Sequence, residues 1–180
     1  MQWSDRLLQR WRIRVAQRWV PAGAKVLDIG CYQGEFFRYM GPRLGWGVGL
    51  DPLTQDTTTP SYRLLAQPFN EPLPFSDQSF DAVVLLATLE HIIEKEPLVR
   101  ECYRLLRRGG RVIITVPSPL VDDIIHFLVK LRLADGMSLE QHHGFKPIDT
   151  VPLFTTHNFA VEHHNRFQLG MNYMFVFKRL

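Results

Sequence analysis

The sequence predicts an α/β protein built on a mostly parallel sheet, because short apolar runs alternate with helical segments. The first run, 26–29, meets a turn at Gly30 and Gly34 and then a helical segment over 34–40. A second run, 45–50, ends at Asp51, and the runs 80–86 and 111–117 flank an amphipathic segment over 97–107. Strands that are apolar at nearly every position are typical of a sheet covered on both faces.

Composition places the chain among ordinary globular proteins. It has 180 residues, of which 46% are apolar and 22% charged, and we expect a single domain over 1–180. Two cysteines, Cys31 and Cys102, provide no disulfide framework and favour a reducing compartment. The sequence has no membrane-length apolar run and no signal-peptide pattern. The expected location is therefore the cytoplasm.

The N-terminal segment is basic and amphipathic. We predict a helix over 4–19 that is capped by Ser4 and turns an apolar stripe inward while its arginines face outward. One interpretation of this charge is a solvated face, and the other is contact with phosphate or lipid headgroups. The stripe is Leu8, Trp11, Val15 and Trp19, and the arginines are Arg6, Arg10, Arg12, Arg14 and Arg18, against a single Asp5.

Two aspartates are predicted at neighbouring strand ends. A carboxylate at Asp28 is costly to bury alone, so we expect it to face a ligand or backbone donors at the strand's open end. Asp51 lies 21 residues beyond Gly30, where an acid after the second strand of a nucleotide-binding fold meets ribose hydroxyls. The alternative for Asp51 is a turn aspartate that caps its own backbone before Pro52. Gly30 and the helix that follows permit a close ligand approach.

The spacing of the glycines distinguishes among ligand classes. A dinucleotide motif would need glycine where Tyr32 and Glu35 stand, and no P-loop pattern occurs in the sequence. The segment D-I-G-C-Y-Q-G resembles the first motif of the class I S-adenosylmethionine-dependent methyltransferases, D-[IVL]-G-C-G-x-G, except that Tyr32 replaces the middle glycine. A side chain at that position must point away from the cofactor or narrow its pocket. The alternative interpretation of the segment is an ordinary tight turn.

Two later segments are similar to the same family. Residues 68–91 resemble D-x-N-x-x-L-P-F-x-D-x-S-F-D followed by a strand and L-E-H, and 105–117 resemble R-x-L-[KR]-x-G-G-x-[LV]-x-[IL]-x-x-P. Pro68 stands where the family has an acid, so adenine-edge contacts would pass to backbone groups or to Asn70. Phe69 is available for stacking on adenine. For both Phe69 and Phe75 the alternative is packing in the core.

The resemblance covers 20–180 and implies the overall architecture. That architecture is a Rossmann-like, doubly wound, mostly parallel sheet of about seven strands, with the last strand antiparallel. No helix is expected over 52–60, and a helix over 147–157 precedes a hairpin of strands 159–168 and 172–178. A helix predicted over 121–133 lies in an insertion, 118–146, that would form a lid or a substrate wall.

The resemblance also implies the chemistry. S-adenosyl-L-methionine would donate a methyl group to a small-molecule or lipid-like acceptor, leaving S-adenosyl-L-homocysteine. In-line displacement depends on positioning and water exclusion, and a hydroxyl acceptor also needs a base, for which His91, His142 and His143 are candidates. The implied cofactor contacts are Asp28, Gly30, Cys31, Tyr32, Gly34, Asp51, Pro52, Phe69, Asn70, Ala87 and Thr88.

Two other functions remain open at the level of sequence. The N-terminal arginines favour a nucleic-acid methyltransferase, but residues 87–90 lack the [DNS]-P-P-[YF] of enzymes that methylate base amino groups. Tyr32 and Pro68 favour a cofactor-binding protein without turnover. No metal site is expected, because His163 and His164 are neighbours on a predicted strand and point to opposite faces.

Overall fold

The computed structural model describes residues 3–118 and 146–180. Within these ranges eight strands form one sheet, in the order β3-β4-β2-β1-β5-β6-β8-β7. The strands are β1 (Ala24–Ile29), β2 (Leu44–Leu50), β3 (Thr57–Thr58), β4 (Tyr62–Leu65), β5 (Phe80–Leu86), β6 (Leu106–Pro117), β7 (Phe159–Phe167) and β8 (Asn172–Arg179). The α-helices are α1 (Trp3–Ala16), α2 (Glu35–Met40), α3 (Lys95–Leu105) and α4 (Thr150–Thr155), and single 3-10 turns cover Gln17–Trp19, Gly41–Arg43, Leu89–His91 and Pro147–Asp149.

The strand order changes direction at β1. That strand pairs in parallel with β2 on one side and with β5 on the other. Parallel pairing continues to β4 and β6, whereas β8 runs antiparallel to both β6 and β7. The predicted doubly wound sheet with an antiparallel final strand is confirmed, and the strand beyond the expected seven is the two-residue β3. Such a change of direction opens a crevice at the carboxyl ends of β1 and β5.

Both faces of the sheet are covered. One face packs against α1 and α2 through Ile13, Ala16, Phe37 and Met40, which contact strand residues such as Val84. The opposite face packs against α3 and α4 through a second set of buried side chains, including Leu98, Leu105, Phe154, Val83, Val112 and Phe175. Burial on both faces explains why the strands are apolar at nearly every position.

The rotation of α1 differs from the sequence prediction. The helix begins at Trp3, so Ser4 lies inside its first turn instead of capping it. Trp11, predicted to face inward, is 45% exposed, and the buried positions are Ile13, Ala16 and Val20. Of the predicted stripe, Trp11 thus points away from the sheet, whereas Val15 and Trp19 are partly buried beside it. Smaller residues permit the close approach of the helix to the sheet, and they decide which side faces inward.

Other boundaries also differ. Helix α3 begins at Lys95 and ends at Leu105, so Pro97 is its third residue. Gly109, predicted to follow the helix, lies inside β6 with φ +78°, beside a register shift against β5. Residues 147–157 form a 3-10 turn and the short α4 instead of one helix. Residues 52–60 contain no helix, as predicted, and β3 pairs antiparallel with β4. The helix predicted over 121–133 lies outside the described residues.

The L-P-F-S-D segment is held by one arginine of α3. Arg104 donates to the backbone carbonyls of Leu73 at 3.0 Å and Phe75 at 2.8 Å. It also forms ion pairs with Asp77 at 2.6 Å and with Glu101 at 2.7 Å. Glu101 in turn accepts from the Leu73 amide at 2.7 Å. These contacts therefore attach the chain before β5 to α3, so the residues of this segment that match the family motif stabilise the fold.

Candidate functional site

A cavity of about 950 Å³ opens at the carboxyl ends of β1, β2 and β5. Its walls come from the turn after β1, the turn after β2, the loop after β4, the loop after β5 and the inner side of α1. Ten of the eleven residues predicted as cofactor contacts line it, namely Asp28, Gly30, Cys31, Tyr32, Asp51, Pro52, Phe69, Asn70, Ala87 and Thr88. The topology thus brings together residues that lie up to sixty positions apart in the sequence.

Asp28 is a buried acid in the wall of this cavity. It is the fifth residue of β1 and only 2% exposed. Burial, reinforced by the negative charges of Asp51 and Glu35, raises the pKa of Asp28 to about 8. Glu35 and Asp51 line the same cavity. A cationic group placed among these three carboxylates would favour the ionised form of Asp28.

Asp51, which follows β2, is surrounded by backbone donors. One carboxylate oxygen accepts from the Tyr32 amide at 2.8 Å, and the other accepts from the Leu53 amide at 2.8 Å. The two interpretations of this residue are therefore compatible, because Asp51 caps the backbone and also lines the cavity. Each carboxylate oxygen has a second acceptor position, so ligand hydroxyls can still donate to it.

Gly30 turns the chain between the two acids. Its φ is +80°, and a Cβ at this position would overlap Thr88 Oγ1 and lie 2.9 Å from Thr88 Cβ. Gly34 also has a positive φ, +76°, but it lies outside the cavity wall, where a Cβ would lie 3.1 Å from a methyl of Leu64. The structure therefore places Gly34 in the packing between α2 and β4 rather than among the cavity-lining residues.

Tyr32, which replaces a family glycine, stands at the rim. Its φ is +47° and its side chain is 36% exposed. The cavity keeps its volume of about 950 Å³ with this side chain among its lining residues. The contact of Tyr32 with Asp51 uses the backbone amide, a group that glycine also has. The substitution therefore leaves the bonding of Asp51 intact.

Aromatic residues near the cavity divide into two roles. Phe69 is half-buried, lines the cavity and packs against the core beneath it. Phe75 instead packs edge-to-face on Phe80, with ring centroids 5.4 Å apart, so the core-packing interpretation holds for that residue.

Cys31 is buried in the wall, and burial raises the pKa of its thiol, which keeps it protonated.

The loop after β5 supplies the opposite wall. Ala87 has φ +56°, a conformation that is rare outside glycine, and its amide donates to the carbonyl of Thr115 at 2.9 Å. Thr88 and His91 line the cavity. Glu90, between them and the core, is 3% exposed, and burial raises its pKa to about 7 although the nearby Arg12 and Lys95 oppose that shift.

Sequence reasoning did not identify which residues of α1 line the cavity. Gln9, Arg12 and Ile13 line the cavity from this helix. The helix is fixed at its backbone, where the Gln168 side chain donates to the Leu8 carbonyl at 2.7 Å. The sequence signal for these residues was their spacing, because positions 9, 12, 13 and 16 share one helical face. That face could be recognised as the inward one only after the structure showed that Ile13 and Ala16 are buried.

The histidines differ in what the structure shows. His91 lines the cavity, and His142 and His143 lie outside the described residues. His163 packs at a tilt against Trp19, with ring centroids 4.8 Å apart, and His164 stacks on Phe175 at 4.4 Å. Because Trp19 and Phe175 belong to the clusters on opposite faces of the sheet, the two histidines point to opposite faces, as predicted. In the residues that the structure describes, no three His, Cys, Asp or Glu side chains are grouped to hold a metal ion. No helix in the same residues is long and apolar enough to cross a membrane.

Comparison with known proteins agrees with this geometry. Residues 27–114 match the family described as "Methyltransferase domain". The chain is 31% identical over 107 residues to the mitochondrial ubiquinone biosynthesis O-methyltransferase of Mus musculus, covering 52% of this chain and 29% of that protein. It is 33% identical over 103 residues to the ubiquinone biosynthesis O-methyltransferase of Pseudomonas entomophila (strain L48), covering 51% of this chain and 43% of that one. The matched region is thus less than half the length of either relative.

Solved structures show the same fold at low sequence identity. A putative S-adenosylmethionine-dependent methyltransferase from Listeria monocytogenes superposes with a TM-score of 0.70 at 13% identity, covering 94% of this chain and 98% of that one. A putative methyltransferase in complex with the Trm112 methyltransferase activator of Haloferax volcanii superposes with a TM-score of 0.71 at 16% identity, covering 94% and 88%.

Proposed function

We propose that this chain is a class I S-adenosylmethionine-dependent methyltransferase, as the match of residues 27–114 to the methyltransferase domain supports, and that it methylates a hydroxyl group of a small, largely apolar acceptor. The observation that carries the proposal is the lining of the cavity, which combines three carboxylates with large apolar side chains. We call Asp28, Glu35 and Asp51 its acidic part, and Ile13, Ile92 and Ile93 its apolar part. The relatives named above are O-methyltransferases of ubiquinone biosynthesis by their names, which supports a hydroxyl acceptor.

The acidic part fits S-adenosylmethionine. This molecule carries a sulfonium and an ammonium cation, and Asp28, Glu35 and Asp51 provide the opposing charge. We assign the ammonium to Asp28 and the ribose hydroxyls to Asp51, whose carboxylate is held in place by the amides of Tyr32 and Leu53. Phe69 provides an apolar surface for the adenine ring, and Gly30 leaves the room that a side chain would occupy.

The apolar part supports the acceptor class. Ile13 lines it from α1, and Ile92 and Ile93 line it from the loop after β5. Ile93 is 78% exposed and Leu53, across the opening, is 77% exposed. Large apolar side chains exposed around an opening favour an apolar ligand, because the ligand removes their surface from water.

The chemistry assigned to the protein is positioning and proton removal. Bound S-adenosylmethionine supplies an electrophilic methyl group. The cavity walls hold the acceptor oxygen in line with that methyl and exclude water. A hydroxyl is a poor nucleophile while protonated, so a base at the acceptor accelerates the reaction. His91 is the described histidine that lines the cavity, and His142 and His143 remain sequence-based candidates for the same role.

A nucleic-acid acceptor receives less support. The residues of α1 that line the cavity are Gln9, Arg12 and Ile13. Arg12 brings one positive charge into the cavity wall, whereas Arg10 and Arg14, which are exposed on the same helix, do not line the cavity. A surface that guides a polynucleotide backbone would be expected to bring more than the single charge of Arg12 into the site.

The test is transfer of a labelled methyl group from S-adenosylmethionine into fractionated cell extract. We expect label in the organic-solvent fraction, attached to oxygen and identified by mass. Asp51→Ala should abolish the incorporation, whereas Asp56→Ala, which removes an exposed aspartate that also accepts a backbone amide, should leave it unchanged. Label in the RNA fraction, or cofactor binding without incorporation into any fraction, would contradict the proposal.

The assignment of His91 has its own test. We expect His91→Gln to lower kcat by about 10² to 10⁴ while the affinity for S-adenosylmethionine stays at the parent value. The loss should persist at saturating cofactor and acceptor, which separates it from weaker binding. His157→Gln, at a histidine paired with Glu96 at 2.9 Å, is the control and should keep the parent's kcat. A His91→Gln variant with the parent's kcat would remove His91 from the role of base.

A further inference from the structure

The outer side of α1 combines exposed apolar and cationic side chains. Leu7 is 53% exposed and Trp11 is 45% exposed, and they lie one helical turn apart. Arg10 and Arg14 are exposed on the same side, and Arg18 continues it in the 3-10 turn that follows. At 100° per residue this group is centred opposite Ile13 and Ala16, which pack inward. We call these five residues the outer face of α1.

In the part of the chain that the structure describes, the arginines of the outer face form no ion pair with an acid. The sequence contains no aspartate or glutamate between residues 6 and 27. The described arginines elsewhere that carry side-chain bonds include Arg38, Arg104, Arg107 and Arg111, each of which faces a carboxylate. The outer face is thus a local excess of positive charge.

We propose that the outer face of α1 docks on a bilayer that contains anionic lipid. Arginines beside an anionic surface gain attraction from its negative potential. Tryptophan and leucine on the same side gain from entering the boundary between headgroups and acyl chains, where a tryptophan ring is favoured. A positively charged helix face alone would bind RNA equally well. The exposed tryptophan and leucine, one turn apart between arginines, add apolar surface whose insertion into a bilayer is favourable.

The placement of α1 gives this contact a consequence for the cavity. The same helix that carries the outer face lines the cavity with Gln9, Arg12 and Ile13 from its opposite side. A bilayer in contact with α1 therefore lies one helix diameter, about 10 Å, from the acceptor part of the cavity. This arrangement would shorten the path of a lipid-soluble acceptor, a consequence that rests on the proposed function. The docking itself does not rest on it.

The experiment is co-sedimentation of the full chain with phosphatidylcholine vesicles that contain about 30% phosphatidylglycerol, in the absence of cofactor. We expect binding to these vesicles and little binding to pure phosphatidylcholine. Arg10→Gln/Arg14→Gln should weaken binding about 30-fold, since each arginine near an anionic surface contributes about fivefold. Trp11→Gln should weaken it about tenfold or more through lost apolar contact.

The matched control is Arg63→Gln/Arg108→Gln, which removes the same charge from exposed positions elsewhere. Arg63 adjoins Leu64, which packs toward the α1 and α2 face of the sheet, so Arg63 points to the other face. Neither residue belongs to the outer face of α1, so the control should keep the parent's binding within about threefold.

Four results would overturn the proposal. The first three are no binding by the folded parent, equal binding to neutral vesicles, and an equal loss of binding in the control variant. The fourth combines two observations: Trp11→Gln keeps its binding to vesicles, and the parent binds an RNA oligonucleotide equally tightly while the Arg10/Arg14 variant does not. The last result would assign the outer face to nucleic acid. Circular dichroism and cofactor affinity of each variant establish that it is folded. Methyl transfer to a water-soluble acceptor should be unaffected, which separates failure here from failure of the proposed function.

Discussion

Asp28 and Asp51 stand at the ends of adjacent parallel strands, yet their surroundings differ. Asp28 is 2% exposed, and burial beside two other acids raises its pKa to about 8. Asp51 is partly exposed, and both of its oxygens accept backbone amides at 2.8 Å. The first carboxylate gains its charge partner only with a bound cation, whereas the second is held ready by the fold. Two acids at the same edge of a sheet can therefore have very different electrostatic surroundings.

The largest expected effect comes from closing the space between the two acids. Gly30→Ala should abolish binding of S-adenosylmethionine and lower the free energy of unfolding by about 3 kcal/mol, because a Cβ there overlaps Thr88 in addition to straining a positive φ. Urea denaturation and calorimetry measure the two quantities.

Gly23→Ala is the control for backbone strain alone, since Gly23 has φ +74° and no atom within 4 Å of an added Cβ. We expect it to cost about 1 kcal/mol of stability and to leave cofactor binding unchanged. Equal losses in the two variants would show that the overlap with Thr88 is unimportant.

The next effect concerns the protonation of Asp28. Binding of an ammonium group beside it requires the ionised carboxylate, so affinity for S-adenosylmethionine should rise by up to about tenfold per pH unit between about pH 5.5 and 7. Asp28→Asn cannot ionise and should show a flat profile with weaker binding at pH 7. Calorimetry across this range provides the measurement, and parallel profiles for parent and variant would remove Asp28 from contact with the cation.

A smaller effect is expected on stability. The folded state holds the Asp28 proton up to a pKa of about 8, while the unfolded chain releases it near its ordinary value of 3.8. The folded state therefore binds more protons between these values, and its free energy of unfolding falls as pH rises, by up to about 1.4 kcal/mol per pH unit.

The difference between parent and Asp28→Asn isolates this contribution, because every other group titrates in both. Urea midpoints measured from about pH 5 to 9 should diverge in favour of the variant as pH increases. Asp56→Asn, at an exposed position, should follow the parent. A constant difference between parent and Asp28→Asn would mean that Asp28 is ionised throughout.

The smallest effect is expected at Tyr32. Its amide, not its side chain, bonds Asp51, and glycine retains that amide. Tyr32→Gly should therefore change cofactor affinity by less than about threefold, and its stability by about 0.5 kcal/mol in either direction, since relief of a φ of +47° offsets the entropy of glycine. A large gain in affinity would show that the ring obstructs the cofactor part of the cavity.

Features that depend on neighbouring residues could be predicted from the sequence, whereas features that depend on contacts between distant residues could not. Asp28, Gly30 and Asp51 could be predicted to lie at the cavity because each stands in or directly after a short apolar run that predicts a strand. The inward face of α1 was predicted wrongly, at Trp11, because it depends on how closely a helix can approach a sheet formed later in the chain. Ile13 and Ala16 decide that approach.

Motif recognition also did not separate binding from scaffolding. The L-P-F-S-D-Q-S-F-D segment matched the family closely, yet Asp77 and Asp81 bond Arg104 and Arg107 of the following helix and strand. Those contacts arise between residues more than twenty positions apart. A sequence pattern records that a residue recurs, whereas only the packed structure shows whether it faces a ligand or a neighbouring helix.

The most direct test of the central assignment is calorimetric titration of S-adenosylmethionine into the parent, Asp28→Ala, Asp51→Ala and Asp56→Ala. Each hydrogen bond to a charged group contributes about 1.5 to 3 kcal/mol, so the first two variants should each lose about 100-fold or more in affinity. Asp56→Ala should bind as the parent does. Folded Asp28→Ala and Asp51→Ala proteins that bind with the parent's affinity would contradict the account.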